Sequence, residues 1–460
     1  MARLRFVHWR ILLTGCLFMS FNLPHNLLRK IWRQSHVFLA LAVGLLFVLQ
    51  GITGSFSVYR EELDKLFNPE LHVEAKANQF LPLDTILAEI RKAHPDRHGS
   101  WVLEMPVSSD GVLTAWFEKP RESVDLWYAP LMVAVDPYTG RVLANRFWGQ
   151  TLTTWVADWH SHWLLDAAGR VWVARLAVLL MLSVLSGLCL WWPGRSNLLK
   201  ALRLRHDAGL MRLLMDSHRL LGLTSAILLL LLAFTGFHLA NPALLEAWTG
   251  AGGMGHGDAG PNVRSTAVPN GRPISVEEAV LVARGLFPSS ELRRVTTPAG
   301  ELGTYKVNLR QRRELNQRHS FTTVWIDRWS GQIRAVNNPI LYTPGQTFTT
   351  WQWPLHTGEA FGSGGRLLWF LLGFVPLLLW TSGVAHWLYR HGHLQDKAVR
   401  PGLWARALPA RLLNAGKNLI LLLLTWWNGC KYLTRWAVAS GARRFRVFAA
   451  QCRERLNRGE

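Results

Sequence analysis

The sequence has little cysteine and little acidic charge. Its 460 residues include only four cysteines, at positions 16, 189, 430 and 452, and no CxxC pair. A disulfide scaffold and a cysteine zinc site are therefore excluded. The chain has 30 Asp and Glu and 51 Lys and Arg, which gives a net charge of +21. This charge by itself favours a nucleic-acid partner. However, a 49% hydrophobic chain with 24 tryptophans is neither disordered nor typical of a soluble basic protein.

Charge is also missing from four long apolar segments. A helix needs about 20 apolar residues to cross a bilayer. Four segments of about that length or more lack Asp, Glu, Lys and Arg altogether: Gln34–Tyr59, Leu176–Gly194, Leu220–Leu245 and Leu367–Tyr389. Backbone polar groups cannot stay unpaired in hydrocarbon, so we predict four transmembrane helices, TM1 to TM4.

The basic residues between these spans predict the topology. Segments rich in Lys and Arg stay in the cytoplasm, which places both termini there and leaves two large loops outside. The predicted order is a cytoplasmic segment at 1–33, TM1 at 34–59, an external domain at 60–155, TM2 with its approach at 156–194, a cytoplasmic loop at 195–217, TM3 at 218–240, a second external domain at 241–350, TM4 with its approach at 351–389 and a basic cytoplasmic tail at 390–460. The positive charge is then mostly a membrane-topology signal, so we expect membrane lipids and no nucleic acid as partners.

Two alternatives remain open at the ends of the chain. The residues before Met19 either resemble the core of a signal peptide or are an upstream extension, in which case the natural start is Met19. The apolar stretch within residues 418–436 is short, so an interfacial helix is favoured there over a fifth span.

The chain contains an internal repeat. Each half carries a Ser-His pair with a Gly eighteen residues after the His, and a second His with a Gly 27 residues after it. In the first half these are His36, Gly54, His160 and Gly187, and in the second half His218, Gly236, His356 and Gly383. The repeat predicts a membrane α-helical fold, in which a four-helix transmembrane bundle carries two external domains.

The external domains repeat a pattern of their own. Each opens with a helical stretch that ends at Pro, Leu83–Pro95 and Ile274–Pro288. Each closes with strand, Asp-x-x-x-Gly turn and strand, with turns at Asp136 and Asp327. Asp begins such turns and Gly accepts the positive φ, so we predict two α+β domains.

Four histidines of the repeat stand at predicted span ends. We name His36 and His218 the inner pair, and His160 and His356 the outer pair. Ionisable residues at membrane depth are costly, which makes them functional candidates, although a single interfacial His is more often structural. Two imidazoles at one depth suit the axial positions of a six-coordinate haem iron, and small residues leave room for the macrocycle. Zinc would require Cys, Asp or Glu ligands that the spans hardly offer.

Three other histidines are weaker alternatives as ligands. His162 follows His160 by two residues and points elsewhere on a helix, and His238 lies on the opposite helix face from His218. His386 stands at the inner end of TM4. Pairing of ligands within one repeat, rather than between the repeats, also remains open.

These motifs together resemble the bacterial PepSY-associated transmembrane family over about residues 30–390. The chain is similar in particular to the inner-membrane ferric-siderophore reductases of that family, including the ferrioxamine type. The resemblance implies a multi-pass inner-membrane oxidoreductase with two b-type haems, bound by the inner and outer pairs, and two periplasmic PepSY domains. It implies that electrons from a cytoplasmic flavoprotein or from quinol reduce Fe(III)-siderophore in the periplasm and so release the iron.

Two functions of other classes are alternatives. A non-enzymatic PepSY membrane module would bind a peptide or an envelope partner through its external domains, and its histidines would be structural. A siderophore or metal permease would need a polar path, which TM1 and TM3 hardly provide. An Arg-rich run of residues 310–318 is either an attractant for an anionic ferric chelate or a solvated face.

Overall fold

The computed structural model of this chain describes residues 25–75, 79–194, 209–250 and 262–395, together with the single residues 197, 202 and 204. The predictions for residues 1–24, for most of the loop at 195–208 and for the tail from residue 396, including the stretch at 418–436, lie outside the described residues. The described chain consists of apolar helices joined to one antiparallel sheet.

The two halves of the chain have matching helices. The first half contains α1 (His25–Ala42), α2 (Gly44–Val58), α3 (Arg60–Phe67), α4 (Leu83–Ala93), α5 (Leu152–His162) and α6 (Asp166–Trp191). The second half contains α7 (Leu210–Ala240), α8 (Pro242–Thr249), α9 (Val276–Leu286), α10 (Pro344–Thr357), α11 (Gly362–Leu372) and α12 (Val375–Arg390).

Within the described residues, three helical segments are long and apolar enough to cross a membrane. They are α6, α7 and the segment Glu359–Arg390, which includes α11 and α12. The pair α1 and α2 adds a fourth if the two helices form one span. These segments correspond to the four predicted spans, but TM1 and TM4 are broken where uninterrupted helices were predicted.

The break in TM1 is a bend of 60° at Val43, between α1 and α2. The indole of Trp380 on α12 packs against Gly44, where a Cβ would collide with it. Trp380 Nε1 also donates a hydrogen bond of 2.9 Å to the carbonyl of Ala40, one turn before the bend. A side chain inserted at a helix is an established cause of such kinks, and this one comes from the other end of the chain.

The break in TM4 lies between α11 and α12, where two helix backbones approach closely. Gly373 at the break lies against Gly51 of α2, and a Cβ on either glycine would collide with the other backbone. Ser55 Oγ donates a hydrogen bond of 2.7 Å to the carbonyl of Phe370, which the break leaves without a helical partner. Small residues and a polar side chain therefore join α2 to this span, as is common for helices in membranes.

The sheet has eight strands, four from each half. The first half supplies β1 (Val102–Glu104), β2 (Leu113–Phe117), β3 (Leu131–Val135) and β4 (Val142–Phe147), and the second half β5 (Glu291–Thr296), β6 (Thr304–Arg310), β7 (Thr322–Asp327) and β8 (Ile333–Asn337). The strand order is β4-β3-β2-β1-β5-β6-β7-β8, and all pairs are antiparallel. The two predicted α+β domains are therefore halves of one sheet. The β1–β5 pairing satisfies backbone groups that two separate edges would expose.

Helices α4 and α9 cover the sheet with one shared hydrophobic core. Their N-termini cap each other: Asp84 accepts hydrogen bonds from the backbone N–H of Val276 (2.9 Å) and Glu277 (3.1 Å), and Glu277 accepts one from the N–H of Leu83 (2.6 Å). Acidic side chains are favourable at helix N-termini, where N–H groups lack partners. These reciprocal hydrogen bonds join the two halves of the domain. The helices α4 and α9 themselves confirm the helix that was predicted in each half.

The two predicted turns close the β3–β4 and β7–β8 hairpins. Gly140 and Gly331 have φ of 72° and 70°, a conformation that favours glycine. The carboxylates of Asp136 and Asp327 accept hydrogen bonds of 2.9 Å and 2.8 Å from the N–H two residues on. Strand β4 is followed by α5, and strand β8 by α10. The sheet therefore lies next to the helices that carry the outer pair.

Candidate functional site

The inner pair is assembled from α1 and α7. The ring centres of His36 and His218 lie 6.3 Å apart, and the ring planes are nearly perpendicular at 89°. Each Nδ1 contacts the hydroxyl of a serine on a neighbouring helix. His36 contacts Ser186 of α6 at 2.9 Å, and His218 contacts Ser382 of α12 at 3.0 Å. Each Nδ1 also lies 3.1 Å from the carbonyl oxygen three residues before that serine. The two sides of the inner pair are thus equivalent, as the repeat predicts.

The outer pair is assembled from α5 and α10. The ring centres of His160 and His356 lie 6.1 Å apart, with ring planes at 35°. His356 Nδ1 contacts Thr235 Oγ1 at 2.9 Å. His160 Nδ1 lies 3.4 Å from Thr53 Oγ1 and 3.1 Å from the carbonyl oxygen of Gln50. Thr53 and Thr235, which directly precede Gly54 and Gly236 of the repeat, therefore lie at the outer histidines.

The four glycines of the repeat lie against the four imidazoles. A Cβ on each would approach the Cε1 atom of one ring, at 2.8 Å (Gly54 to His160), 3.0 Å (Gly236 to His356), 3.2 Å (Gly187 to His36) and 3.4 Å (Gly383 to His218). Carbon atoms in van der Waals contact are about 3.5–4.0 Å apart. Glycine at these positions therefore lets a neighbouring helix approach each ring more closely than alanine would.

The two pairs fit the axial positions of a haem iron. A metal–imidazole bond is about 2 Å long, and the ring adds about 1 Å, so two imidazoles on opposite sides of one metal have centres about 6 Å apart. Every hydrogen bond between these imidazoles and the described residues uses Nδ1, which leaves Nε2 available as a ligand. In the described chain no three His, Cys, Asp or Glu side chains converge. If a haem were bound at either site, the two histidines of that pair would be the side chains in place to hold its iron.

The match to known families agrees with this architecture. The family described as the PepSY-associated TM region matches residues 33–390. This chain belongs to that family. A comparison with curated proteins found no match. Membership confirms the resemblance to the family and its membrane character, and it leaves open what the paired histidines of this PepSY-associated TM protein bind.

A cavity of about 1260 Å³ surrounds the inner pair of this PepSY-associated TM protein. Its walls come from α1, α2, α6, α7 and α12, and they include both histidines and the apolar Phe47 of α2. Four of its lining cations make no ion pair with the described residues: Arg29, Lys30, Arg33 and Arg390. Sequence reasoning treated them only as topology signals. The spacing of Arg29, Arg33 and His36, four and three residues apart on one helix, is a signal that it missed.

The weaker ligand candidates do not join either ring pair. His162 Nε2 lies 3.3 Å from Asp158, and its ring packs edge-on against Trp127 at 5.0 Å. His238 packs against Phe234, with ring centres 4.4 Å apart. His386 lines the inner cavity. The ring pairing also runs between the repeats, which favours the predicted pairing over pairing within one repeat.

Gln50 is a site residue that sequence reasoning missed. Its Nε2 donates a 2.6 Å hydrogen bond to the carbonyl of His160, and its Oε1 accepts one of 2.9 Å from Trp163 Nε1. Gln50 is one of the few polar side chains within TM1, and that rarity is the signal that points to it.

The β6–β7 connection of the sheet reaches the membrane helices near the outer pair. Arg318 in this connection forms an ion pair with Glu61 of α3, and the N–H of Gln317 lies 3.3 Å from Glu359, three residues after His356. Arg310 contacts Glu291 at 3.4 Å. Arg312 and Arg313 are exposed. The predicted Arg-rich run therefore divides into members that hold the sheet in place and members that face solvent.

Proposed function

We propose that this protein is an inner-membrane oxidoreductase that holds two b-type haems and passes electrons across the membrane to Fe(III)-siderophore in the periplasm. The observation that carries the proposal is the duplicated ring pair, with centres 6.3 Å and 6.1 Å apart and a motif glycine against every ring. A structural role for the four histidines does not by itself require a glycine against each of the four rings.

The histidine environments support ligation through Nε2. A carbonyl oxygen next to Nδ1 accepts a hydrogen bond only when that nitrogen carries the proton, as at His36 and His160. In that tautomer the Nε2 lone pair is available and the contact orients the ring. At His160 the side-chain Nε2 of Gln50 also lies 3.2 Å from Nδ1 and donates to it only in the other tautomer. When bound, each haem would accept and release one electron at a time.

The cations of the inner cavity supply a second kind of contact. A b-type haem carries two carboxylates, and these need cationic or water partners at the edge of the membrane. Arg29, Arg33 and Arg390 line the same cavity as His36 and make no ion pair with the described residues. We assign them as partners of the carboxylates, in addition to their effect on topology.

The arrangement gives electron transfer a direction. The outer pair lies on the helices that follow the sheet, and the positive-inside rule orients the sheet toward the periplasm. Electrons from a cytoplasmic flavoprotein or from quinol would enter at the inner pair and leave at the outer pair. One electron reduces each Fe(III), and the exposed Arg312 and Arg313 would attract an anionic chelate.

The first test is the absorption spectrum of protein purified from haem-replete cells. We expect a Soret band that shifts on reduction with dithionite, and about two haems per chain. His36→Ala or His218→Ala should remove one haem, and His160→Ala or His356→Ala the other. His72→Ala, a change at an exposed position in the first half of the sheet domain, is the control and should keep both. Colourless wild-type protein would contradict the proposal and favour the non-enzymatic module.

The second test addresses the acceptor. Protein reduced in nanodiscs should be reoxidised by a ferric hydroxamate siderophore, with Fe(II) appearing in a colorimetric trap at a ratio of one per electron lost. Oxygen must be excluded. Haem-loaded protein that stays reduced in the presence of the chelate would remove the siderophore from the proposal and leave the electron-transfer role. Uptake of labelled chelate into vesicles by the pure protein would instead favour the permease.

A further inference from the structure

The two sides of the outer pair differ, although the repeat places equivalent histidines, threonines and glycines on both. Gln50 and Leu232 stand at equivalent positions, each three residues before the threonine beside an outer histidine. The first half therefore places a carboxamide next to His160. The second half has an aliphatic side chain at the equivalent position, and it packs against the apolar cluster of Leu229, Leu372 and Val375. No such difference separates the two sides of the inner pair, where a serine and a carbonyl flank each ring.

Gln50 contacts His160 through backbone and side chain. Its carbonyl oxygen lies 3.1 Å from His160 Nδ1 and accepts from it in the tautomer that ligates through Nε2. Its side-chain Nε2 donates a hydrogen bond of 2.6 Å to the carbonyl oxygen of His160 and lies 3.2 Å from His160 Nδ1. The third contact, from Trp163 Nε1 to Gln50 Oε1 at 2.9 Å, fixes the orientation of the carboxamide. Both the ring and the backbone of His160 are therefore held by one residue of TM1.

The Trp163 contact supports an unusual connection between α5 and α6. Trp163, Leu164 and Asp166 all have positive φ, at 52°, 57° and 52°. The equivalent connection in the second half uses Gly358 and Gly362, at 80° and 65°. Residues other than glycine adopt this conformation at a cost, and it persists only where the surroundings hold it. The first half thus has a conformationally costly connection at the position where Trp163 donates its indole N–H to Gln50.

We infer that Gln50, oriented by Trp163, is a positioning residue that fixes the ring plane of His160 and so makes the outer site electronically different from the inner one. The inference rests on the proposed function. The angle between two axial imidazole planes sets the splitting of the iron d orbitals. It is 35° at the outer pair and 89° at the inner pair, and hydrogen bonds around the ligands are a further means of tuning such a site.

Electron paramagnetic resonance of the oxidised protein reads this angle directly. Nearly perpendicular axial rings give a strongly anisotropic low-spin signal, and rings closer to parallel give a rhombic one. We expect one signal of each kind from the wild type, and His160→Ala should remove the rhombic signal. Gln50→Leu, which installs the residue of the second half, should broaden and displace the rhombic signal and leave the anisotropic signal unchanged. Trp163→Phe removes only the indole N–H and should displace the same signal less.

The controls separate position from polarity. Leu232→Gln places a carboxamide on the other side of the outer pair, where Glu359 stands in place of Trp163. The double variant Gln50→Leu/Leu232→Gln keeps the polarity of the site and should still show the displaced signal. An unchanged rhombic signal in both Gln50→Leu and Trp163→Phe, with two haems bound, would overturn this inference alone. If Gln50→Leu loses haem, the rhombic signal of Trp163→Phe decides the inference. Wild-type protein without haem would overturn the proposed function and this inference together.

Discussion

Gly54 on α2 lies directly against the imidazole of His160 on α5, and a Cβ there would come within 2.8 Å of Cε1. The contact joins two residues 106 positions apart in the sequence. We predict that Gly54→Val displaces the ring and removes about one of two haems per chain. Gly364→Ala on α11, where an added Cβ has no atom within 4 Å, is the matched control. Pyridine haemochrome per protein measures the outcome, and full haem content in Gly54→Val would contradict the close packing.

The weaker histidines should be dispensable as ligands. Because His162 is paired with Asp158 and His238 with Phe234, we predict that His162→Ala and His238→Ala both retain two haems. His386→Ala should also retain them, since its ring is not part of the inner pair. The same haemochrome assay decides this. Loss of a full haem from any of the three would reassign a ligand.

The reciprocal caps of α4 and α9 should stabilise the sheet domain. Asp84→Ala removes the acceptor of two backbone N–H groups, at Val276 and Glu277, and loss of a helix cap costs about 1–2 kcal/mol. We predict a lower midpoint of thermal unfolding for Asp84→Ala and for Glu277→Ala, measured on the full chain in detergent.

Glu89→Ala on the same helix is the control, since the Glu89 carboxylate pairs with Lys92 of its own helix, at 3.6 Å, and takes no part in the caps. In a double-mutant cycle, Asp84 and Glu277 should be coupled, because each side chain caps the helix that carries the other. Purely additive effects would show that the two caps act independently.

Acid should weaken the sheet domain through Asp327. Burial opposes ionisation of this carboxyl, but hydrogen bonds from the N–H groups of Ser330, Thr266 and Trp329 and from Arg334 outweigh it and lower its pKa. A lowered pKa in the folded state means that the stabilisation is complete above the ordinary value of about 3.9 and is lost as the pH falls toward the folded value. We predict that Asp327→Asn lowers the unfolding midpoint at pH 7 and flattens its decline between about pH 5 and pH 2. An equally steep decline in the variant would assign the acid sensitivity to other groups.

Much of the site could be predicted from the sequence because it is repeated. The repeat predicts that equivalent histidines lie at one depth, which favoured His36 with His218 and His160 with His356. Pairing within one repeat stayed open from the sequence, and only the packing of the helices shows the rings meeting between the repeats. The same holds for the glycines, which keep a fixed distance from the histidines along the chain. The turns at Asp136 and Asp327 were predictable because their conformation is set by local residues.

Other features depend on contacts between distant parts of the chain, and no local pattern encodes them. The bend at Val43 is caused by Trp380, which is 337 residues away. The pairing of β1 with β5 merges the two predicted domains, and neither strand carries a signal for it. The role of Gln50 emerges only when Trp163 is brought beside it by the return of the chain at α5.

The sequence by itself determined the membrane character, the repeat and the four repeated histidines as site candidates, since these follow from composition and period. The tertiary structure decided the rest: a single sheet in place of two, two broken spans, a cavity with Arg29, Arg33 and Arg390 in its walls, and an outer site whose two sides differ. The physical reason is that the spacing of residues in the sequence fixes where their side chains recur along a helix. Which of them meet, and at what angle, is fixed only by the packing of one helix against another.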